Sequence, residues 1–347
     1  MLEKTIQKIA PLDALWLSKA RQRVDNLIKP VGSMGKLEDY YVQLSAIQKT
    51  LSPRADKRAV VVFSGDHGVI VEDVAVCPQT VTLQQTENFV RGYTGVCAVA
   101  KQAGAKLFPV DVAVNGKVSV AGVIDRKLAY GSDNIFKGPA MSRQQAVKAI
   151  EVGIEIVTDV VGQGYNILAT GEMGICNTTP SAAILAVLTG LDAAGVTGMG
   201  ANLDDARVRH KIEVVRTAIT LNKPDKTDVI DIISKVGGYE IAAMTGAFLA
   251  AAASGVAIVV DGFIATVAAL LAVELAPATK HYLIASHKSR EKGAAIATAE
   301  LGLEPALDME MRLGEGSGAA LMFNIVDAAC YMGKEMITFD EAGIGVV

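Results

Sequence analysis

The chain has 347 residues, of which 51% are hydrophobic and only 5% aromatic, and its mean hydropathy is +0.34. This is enough apolar material for a large core, and a core supplied mainly by Ala, Gly, Val and Ile favours helices packed on a buried parallel sheet over a β-sandwich. The formal net charge is −4 and Lys and Arg form no cluster, which argues against nucleic acid as a partner.

Predicted strands and helices alternate through most of the chain. The apolar, β-branched runs that predict strands are 59–68, 106–114, 165–174, 256–262 and 281–288. Helical patterns cover 37–51, 80–91, 142–161, 181–188, 205–221, 241–253, 264–274, 290–300 and 319–336. Such alternation predicts an α/β fold in which a mostly parallel sheet is flanked by helices and joined by right-handed crossovers.

The stretch Ile241 to Val260 contains 20 residues without a charge, which is long enough to span a bilayer. However, Ser254-Gly255 interrupts it, and the following VAIVVDG is typical of a buried strand. We therefore expect a helix, a turn and a strand here, and no membrane partner.

Acids and histidines stand where the predicted strands end. They are Asp66 with His67, Asp111, Glu172, Asp261, and Ser286 with His287. Each of them could be an ordinary turn or N-cap residue. Because the carboxyl ends of parallel strands meet at one edge of a sheet, we expect these side chains to converge on one polar cleft.

The helices predicted near the two ends of the chain have no strand beside them. They could pair as a small helical domain made of residues 1–54 and 311–347, next to a large α/β domain of residues 55–310. The loop RLGEGSGAAL, 312–321, would then lie at the junction. Its one acid, Glu315, stands between Gly314 and Gly316, which indicates either a site that needs close backbone approach or a solvated turn.

The stretch GEMGICNTTPSAA, 171–183, combines the end of a strand, a glycine turn, capping side chains and Pro180 at an expected first helical position. A helix that begins in this way offers backbone N–H groups and a positive dipole end to a phosphate. It matches neither a Walker loop nor G-x-G-x-x-G, so an ordinary capped helix is equally compatible.

A second glycine pair, in TGMGANLDDARVRHK, also precedes a predicted helix. Arg207, His210 and Lys211 follow on that helix, where the lysine could balance a phosphate charge or all three could form a solvated basic face.

No metal or cofactor signature is present in the sequence. The four histidines form no H-E-x-x-H pattern, the four cysteines form no C-x-x-C pair, and no G-x-S-x-G elbow occurs. The cysteine pattern favours a reducing cytoplasm, and the charged N-terminal segment MLEKTIQKIAPLDALWL lacks the apolar core of a signal peptide.

Several of these stretches together resemble one family. KPVGSMGKLE, FSGDHGV with the later V-C-P-Q, TGEMGICNTTPSAA, MTGAFLAAAASGVAIVVDGF and RLGEGSGAAL resemble, in this order, the motifs of the nicotinate-nucleotide:dimethylbenzimidazole phosphoribosyltransferases, from about Arg23 to Ile325. The resemblance implies a Rossmann-like α/β domain with a small helical domain built from both chain ends. It also implies transfer of 5-phosphoribosyl from nicotinate mononucleotide to a cobamide lower-ligand base, with release of nicotinate and no cofactor.

The resemblance assigns roles to individual residues. Glu315 would take the proton of the incoming base, and Glu172 would lie in the reaction centre. The phosphate and ribose would be held by Gly174, Ile175, Cys176, Asn177, Thr178, Thr179, Gly200, Lys211 and Asp261. The base would be lined by Pro78, Gln79, Gln85, Met173 and Leu313.

Two departures from the family pattern leave alternatives open. Cys176 stands where the phosphate turn of the family usually has glycine, and the segment after FSGDHGV differs from the usual one. The altered pocket could favour a phenolic base such as phenol or p-cresol, used by a subunit that works with a paralogous partner. A non-catalytic paralogue is a further alternative. The resemblance implies a dimer, either of two identical chains or with that paralogue.

Overall fold

A six-stranded sheet forms the centre of the structure, a computed structural model that describes residues 1–344. The strands are β1 (Arg58–Gly65), β2 (Lys106–Ala113), β3 (Ile124–Asp125), β4 (Ile167–Met173), β5 (Ala257–Val260) and β6 (Leu283–Ala285). Their order in the sheet is β3-β2-β1-β4-β5-β6, and every neighbouring pair is parallel. All the carboxyl ends of the strands therefore lie at one edge, as the predicted α/β fold requires.

Helices cover both faces of the sheet and supply the connections between the strands. They are α1 (Leu2–Ile6), α2 (Ala14–Asp25), α3 (Lys36–Gln48), α4 (Thr80–Arg91), α5 (Gly95–Gln102), α6 (Arg143–Gly162), α7 (Thr178–Thr189), α8 (Ala193–Val196), α9 (Asp205–Asn222), α10 (Val229–Val236), α11 (Tyr239–Ala253), α12 (Phe263–Leu275), α13 (Ala294–Leu301), α14 (Ser317–Glu335) and α15 (Phe339–Ala342). Short 3-10 helices cover Gly68–Glu72 and Pro277–Tyr282.

The five predicted strands and the predicted alternation are confirmed. Strand β3 was not predicted because two residues carry no periodic pattern. The start of α7 was predicted wrongly. It begins at Thr178, so Pro180 is the third helical residue, a position where the N–H that proline lacks has no intrahelical partner.

Side chains of successive β1 residues enter two different cores. Val61 and Phe63 belong to one hydrophobic cluster, together with residues of α6, α11 and α12, whereas Val60 and Val62 belong to the other. Residues of α2, α3, α5 and α14 complete the second cluster. The helices near the two ends of the chain therefore pack together on one face of the sheet.

The uncharged stretch 241–260 forms α11, a turn and β5, as predicted. Within residues 1–344, no helix combines the length and apolar character needed to cross a membrane. Helix α11 packs closely on α6 through two glycines. A Cβ at Gly153 would collide with the carbonyl oxygen of Ala243, and one at Gly246 would collide with that of Ile150. The two helix backbones therefore touch behind the sheet.

Candidate active site

The loop before α14 holds Glu315 in a left-handed backbone conformation. Gly314, Glu315 and Gly316 have φ values of 81°, 62° and 89°. Such a value is uncommon for a residue with a side chain, so the flanking glycines are what make the path possible. The carboxylate is nevertheless only 4% exposed. The solvated-turn interpretation of this loop is therefore wrong.

Two donors fix the Glu315 carboxylate. The Gln85 amide donates to Oε1 over 2.7 Å, and the backbone N–H of Val96, the second residue of α5, donates to Oε2 over 3.2 Å. Both donors lie on α4 and at the start of α5, so these two helices fix the position of the carboxylate. A Cβ at Gly171 on β4 would collide with the Glu315 carbonyl oxygen, so the loop rests directly on the strand.

Asp261, which follows β5, ties the same loop to the start of α14. Its Oδ2 accepts from the backbone N–H of Gly316 over 3.1 Å, and its Oδ1 accepts from that of Ala319 over 2.9 Å. Burial raises the pKa of Asp261, and these N–H donors oppose the rise. Asp261 is therefore a helix-capping residue that also faces the cavity described below.

Glu172, at the end of β4, is the second buried acid of this region. Burial raises its pKa to about 8, and the nearby charges of Asp261 and Glu240 act in the same direction. The Asn177 amide, which donates to Oε2 of Glu172, opposes the rise. At pH 7 the Glu172 side chain is accordingly protonated in most molecules.

The turn between β4 and α7 is shaped to receive an anion. Cys176 has a φ of 69°, which explains physically why glycine suits this position. The backbone N–H groups of Cys176 and Thr178 have no hydrogen-bond partner among residues 1–344. Because they lie at the N-terminus of a 12-residue helix, they are suited to bind a phosphate.

Lys211 of α9 supplies a positive charge beside this turn. Its Nζ donates to Thr178 Oγ1 over 2.7 Å, and the residue is only 1% exposed. Burial lowers the pKa of Lys211 to about 8. Arg207 contacts Asp73 and Ala75, and His210 contacts the carbonyl oxygen of Glu72. The alternative of a solvated basic face is therefore wrong for Lys211.

A cavity of about 330 Å³ joins these elements. Most of the predicted site residues line it, namely Gln85, Glu172, Met173, Gly174, Ile175, Cys176, Asn177, Thr178, Gly200, Asp261, Leu313 and Glu315. Lys211 and Thr179 are buried behind the turn between β4 and α7. Pro78 is exposed beside the cavity, and Gln79 contacts Asn115 and the carbonyl oxygen of His67.

The expectation that all strand ends converge on one cleft is only partly correct. Glu172, Asp261 and His287 line the cavity. Asp111 and His67 instead form internal pairs, with Lys127 at 2.9 Å and Glu240 at 2.8 Å respectively, and Asp66 accepts from the backbone N–H of Asn115 over 2.7 Å. A buried charge needs such a partner, and Glu240 lies 173 residues from His67, so the sequence gives no sign of that pair.

Sequence reasoning missed part of the cavity lining. Val74, Ala75, Val76, Cys77 and Val81 lie in the segment after FSGDHGV that the family resemblance connects with the base pocket. The missed residues are Ala201, Leu203, Gly262, Phe263, Ile264, Ala265, Ser289, Glu291 and Arg312. Most of them are small or apolar and resemble core residues, so only their position just after a strand or just before a helix could have indicated them. Within residues 1–344, no cluster of His, Cys, Asp and Glu has the arrangement of a metal site.

Comparison with known proteins places this arrangement among described enzymes. The sequence model of a family described as phosphoribosyltransferase matches residues 9–344. A protein of Alkaliphilus metalliredigens named nicotinate-nucleotide–dimethylbenzimidazole phosphoribosyltransferase is 53% identical over 346 residues, which are 99% of each chain. A protein of Clostridioides difficile with the same name is 46% identical over 345 residues, again 99% of each chain.

A solved structure shares the fold. The crystal structure of the nicotinate-nucleotide–dimethylbenzimidazole phosphoribosyltransferase of Thermus thermophilus superposes with a TM-score of 0.92 at 36% identity, covering 97% of this chain and 100% of that one. The similarity therefore extends over nearly the whole chain, well beyond the motifs at 23–325.

Proposed function

Since this chain belongs to the phosphoribosyltransferase family, we propose that it transfers the 5-phosphoribosyl group of nicotinate mononucleotide to dimethylbenzimidazole or a related cobamide lower-ligand base. The products are an α-ribotide and nicotinate. The relatives named above share the dimethylbenzimidazole name, and none of the contacts of the cavity favours a phenolic base instead.

Glu315 is the residue that we propose as the general base. A ring nitrogen of the incoming base attacks the anomeric carbon while the bond from that carbon to nicotinate breaks. The nicotinate nitrogen leaves as a neutral pyridine nitrogen and needs no acid, whereas the attacking azole must lose its N–H proton. Attack on the face opposite nicotinate inverts the anomeric carbon.

One observation carries the assignment of Glu315. Its carboxylate is almost fully withdrawn from water, yet it lines the cavity and is held by Gln85 and Val96. Both donors fix the carboxylate that must accept the proton, so that it is already oriented before the reaction begins.

The remaining contacts support roles at the other end of the cavity. We assign the phosphate to the turn of Gly174 to Thr179 with Lys211 behind it, because backbone N–H groups and a cation meet there. A largely neutral Glu172 adds no negative charge next to the carboxylate of nicotinate or the phosphate. Asp261 acts on the ribose side and also holds the Glu315 loop in place.

We also propose the division into a large domain, residues 55–310, and a small domain, residues 1–54 with 311–347, of which 345–347 lie outside the described residues. Support comes from contacts that join the chain ends. Leu27 forms a bridge with Thr338, the N–H of Ile28 donates to the carbonyl oxygen of Ile337 over 3.0 Å, and α3 packs on both α2 and α14.

A dimer in the cytoplasm completes the proposal. The thiols of Cys77, Cys97, Cys176 and Cys330 are unpaired, which suits a reducing compartment. Sedimentation equilibrium of the purified chain, alone and with a paralogous chain, distinguishes a homodimer from a heterodimer.

The assay that tests the function uses nicotinate mononucleotide with dimethylbenzimidazole, benzimidazole, phenol and p-cresol in turn. We expect turnover with the benzimidazoles by the chain alone, and a fall in kcat of at least about a hundredfold for Glu315→Gln, the scale of a lost general base. Preference for the phenols would establish the phenolic alternative, and no turnover with any base would favour a non-catalytic paralogue.

Glu310→Gln is the matched control. Glu310 is in the same loop region and has a φ of 54°, but its side chain is 76% exposed and pairs only with Arg290. We expect its kcat to be unchanged. Near-normal turnover of Glu315→Gln would refute the assigned role.

A further inference from the structure

One wall of the cavity is a short segment without helix or strand structure. Val74, Ala75, Val76 and Cys77 all line the cavity and connect the 3-10 helix Gly68–Glu72 with α4. We call these four residues the 74–77 wall. Val74 is buried in the core, whereas Val76 is 44% exposed, so the wall is anchored at its first residue and becomes progressively more exposed towards Val76.

A side chain from another element holds this wall. Nη2 of Arg207 donates to the carbonyl oxygen of Ala75 over 2.7 Å and forms an ion pair with the Asp73 carboxylate. Among residues 1–344, no other hydrogen bond reaches the 74–77 wall. The backbone position of the wall therefore depends on Arg207 to an unusual degree.

Helix α9 carries Arg207 and also contacts the phosphate turn. Arg207 and Lys211 are four residues apart, so they lie on the same face of the helix. Lys211 reaches Thr178, and His210 Nε2 lies 2.7 Å from the carbonyl oxygen of Glu72, just before the wall. The same helix face thus spans from the phosphate turn to the 74–77 wall.

The chemistry of the wall suits a flat, apolar ring. Valine and alanine side chains dominate it, and Val81 of α4 extends it towards Gln85, the partner of Glu315. An aromatic acceptor that delivers its N–H proton to Glu315 can lay its ring on this surface and remove apolar area from water. The ribose phosphate part of nicotinate mononucleotide gains nothing from such a surface.

We infer that Arg207 is a positioning residue for the aromatic acceptor: by holding Ala75 and Asp73, it keeps the 74–77 wall against the ring. The inference rests on the proposed function, since it requires an aromatic acceptor in this cavity. Arg207 itself touches neither substrate. Its removal should therefore weaken use of the acceptor and leave use of nicotinate mononucleotide almost unchanged, because Lys211 and the phosphate turn are untouched.

The test compares Arg207→Gln with Arg216→Gln. Arg216 is on the same helix and also forms ion pairs, but with Asp192 and Glu213, neither of which belongs to the 74–77 wall. For Arg207→Gln we expect the KM for dimethylbenzimidazole to rise roughly five- to twentyfold, the scale of one charge-assisted hydrogen bond at a partly exposed position, with the KM for nicotinate mononucleotide changed less than about twofold. Arg216→Gln should change neither KM.

Conservative variants separate positioning from general loss of structure. Arg207→Lys keeps the charge and one donor, so it should recover part of the acceptor KM. Asp73→Asn leaves the bond to Ala75 intact and alters a side chain that is 73% exposed, so it cannot unfold the chain; it should raise the acceptor KM about two- to fivefold. It also provides the test if Arg207→Gln does not fold.

Equilibrium dialysis of dimethylbenzimidazole without nicotinate mononucleotide gives a readout that does not depend on turnover. The Kd should rise for Arg207→Gln by about the same factor as the KM. The inference is overturned if both KM values rise equally, or if Arg207→Gln and Asp73→Asn behave like Arg216→Gln. Failure of the proposed function is a different result, in which the unmodified chain turns over no base.

Discussion

Replacing Lys211 with methionine should make the ligand-free protein more stable and its phosphate site weaker. Burial lowers the pKa of Lys211 from 10.5 to about 8, so at pH 7 the folded protein still holds a charged ammonium group, in a buried place where the charge is less favourable than in the unfolded chain. At about 1.4 kcal/mol per pH unit, that lowering corresponds to roughly 3 kcal/mol. Methionine loses the hydrogen bond to Thr178, which contributes about 1 kcal/mol, so we expect a net gain of about 2 kcal/mol.

The pH dependence of stability gives an independent check of the sign. The folded-state pKa of Lys211 lies below the unfolded value, so between about 8 and 10.5 the unfolded chain binds more protons than the folded one. The free energy of unfolding of the unmodified protein should therefore rise with pH in this window. Below pH 8, the contribution of Lys211 to that free energy should be at its least favourable. The advantage of Lys211→Met should shrink by about 1 kcal/mol between pH 7 and pH 9.

Urea unfolding followed by circular dichroism measures the stability, and steady-state kinetics measure the KM for nicotinate mononucleotide, which should rise roughly 10- to 100-fold without the cation. Lys148→Met, at an exposed position of α6, is the control and should change neither quantity. The hypothesis is that Lys211 stays buried and charged, at a cost in stability, because it binds the phosphate. It is refuted if Lys211→Met is less stable than the unmodified protein, or if the KM for nicotinate mononucleotide does not change.

Three further variants test the geometry around the acids. Gly171→Ala places a Cβ against the Glu315 carbonyl oxygen and should displace the Glu315 loop. We expect kcat in steady-state assays to fall at least about tenfold, the scale found when a catalytic group is slightly misplaced. Gly138→Ala, whose Cβ would meet nothing within 4 Å, is the control and should leave kcat unchanged. Cys176→Gly removes the backbone strain of a residue with a side chain at a φ of 69°. It should raise the free energy of unfolding in urea by roughly 1 kcal/mol and leave the KM for nicotinate mononucleotide unchanged. A loss of stability would show that Cys176 is not strained. The amide of Asp261→Asn can accept from only one of the two backbone donors that Asp261 holds. The free energy of unfolding in urea should fall by about 1–3 kcal/mol, and kcat should fall as well. Full activity would show that the Glu315 loop does not need this anchor.

The sheet and its main crossovers were predictable because their signals are long. The run that forms β1 is apolar from Ala59 to Phe63, as expected for a strand covered on both faces, and α11 with β5 could be separated by Ser254-Gly255. The Glu315 loop was also marked in the sequence, since three glycines in five residues are costly unless the backbone needs them.

Other features have no signal of comparable length. The 74–77 wall is made of residues typical of a core, so only the family resemblance, and not its composition, indicated that it faces a cavity. The burial of Lys211 and the capping role of Asp261 depend on contacts with Thr178 and with the first turn of α14, distant in sequence. A helical pattern shows which residues share a face but not what that face meets.

The glycine contact between α6 and α11 restricts how this protein can diversify. At Gly153 or Gly246 even one added methyl group would meet the backbone of the opposing helix, so a change there requires a compensating shift of the whole helix. The rear of the sheet should accordingly vary slowly over evolutionary time. The segments beyond the carboxyl ends of the strands, which carry the proposed acceptor surface, are free of this restriction, so a lineage can change the ring that it accepts while inheriting the scaffold intact.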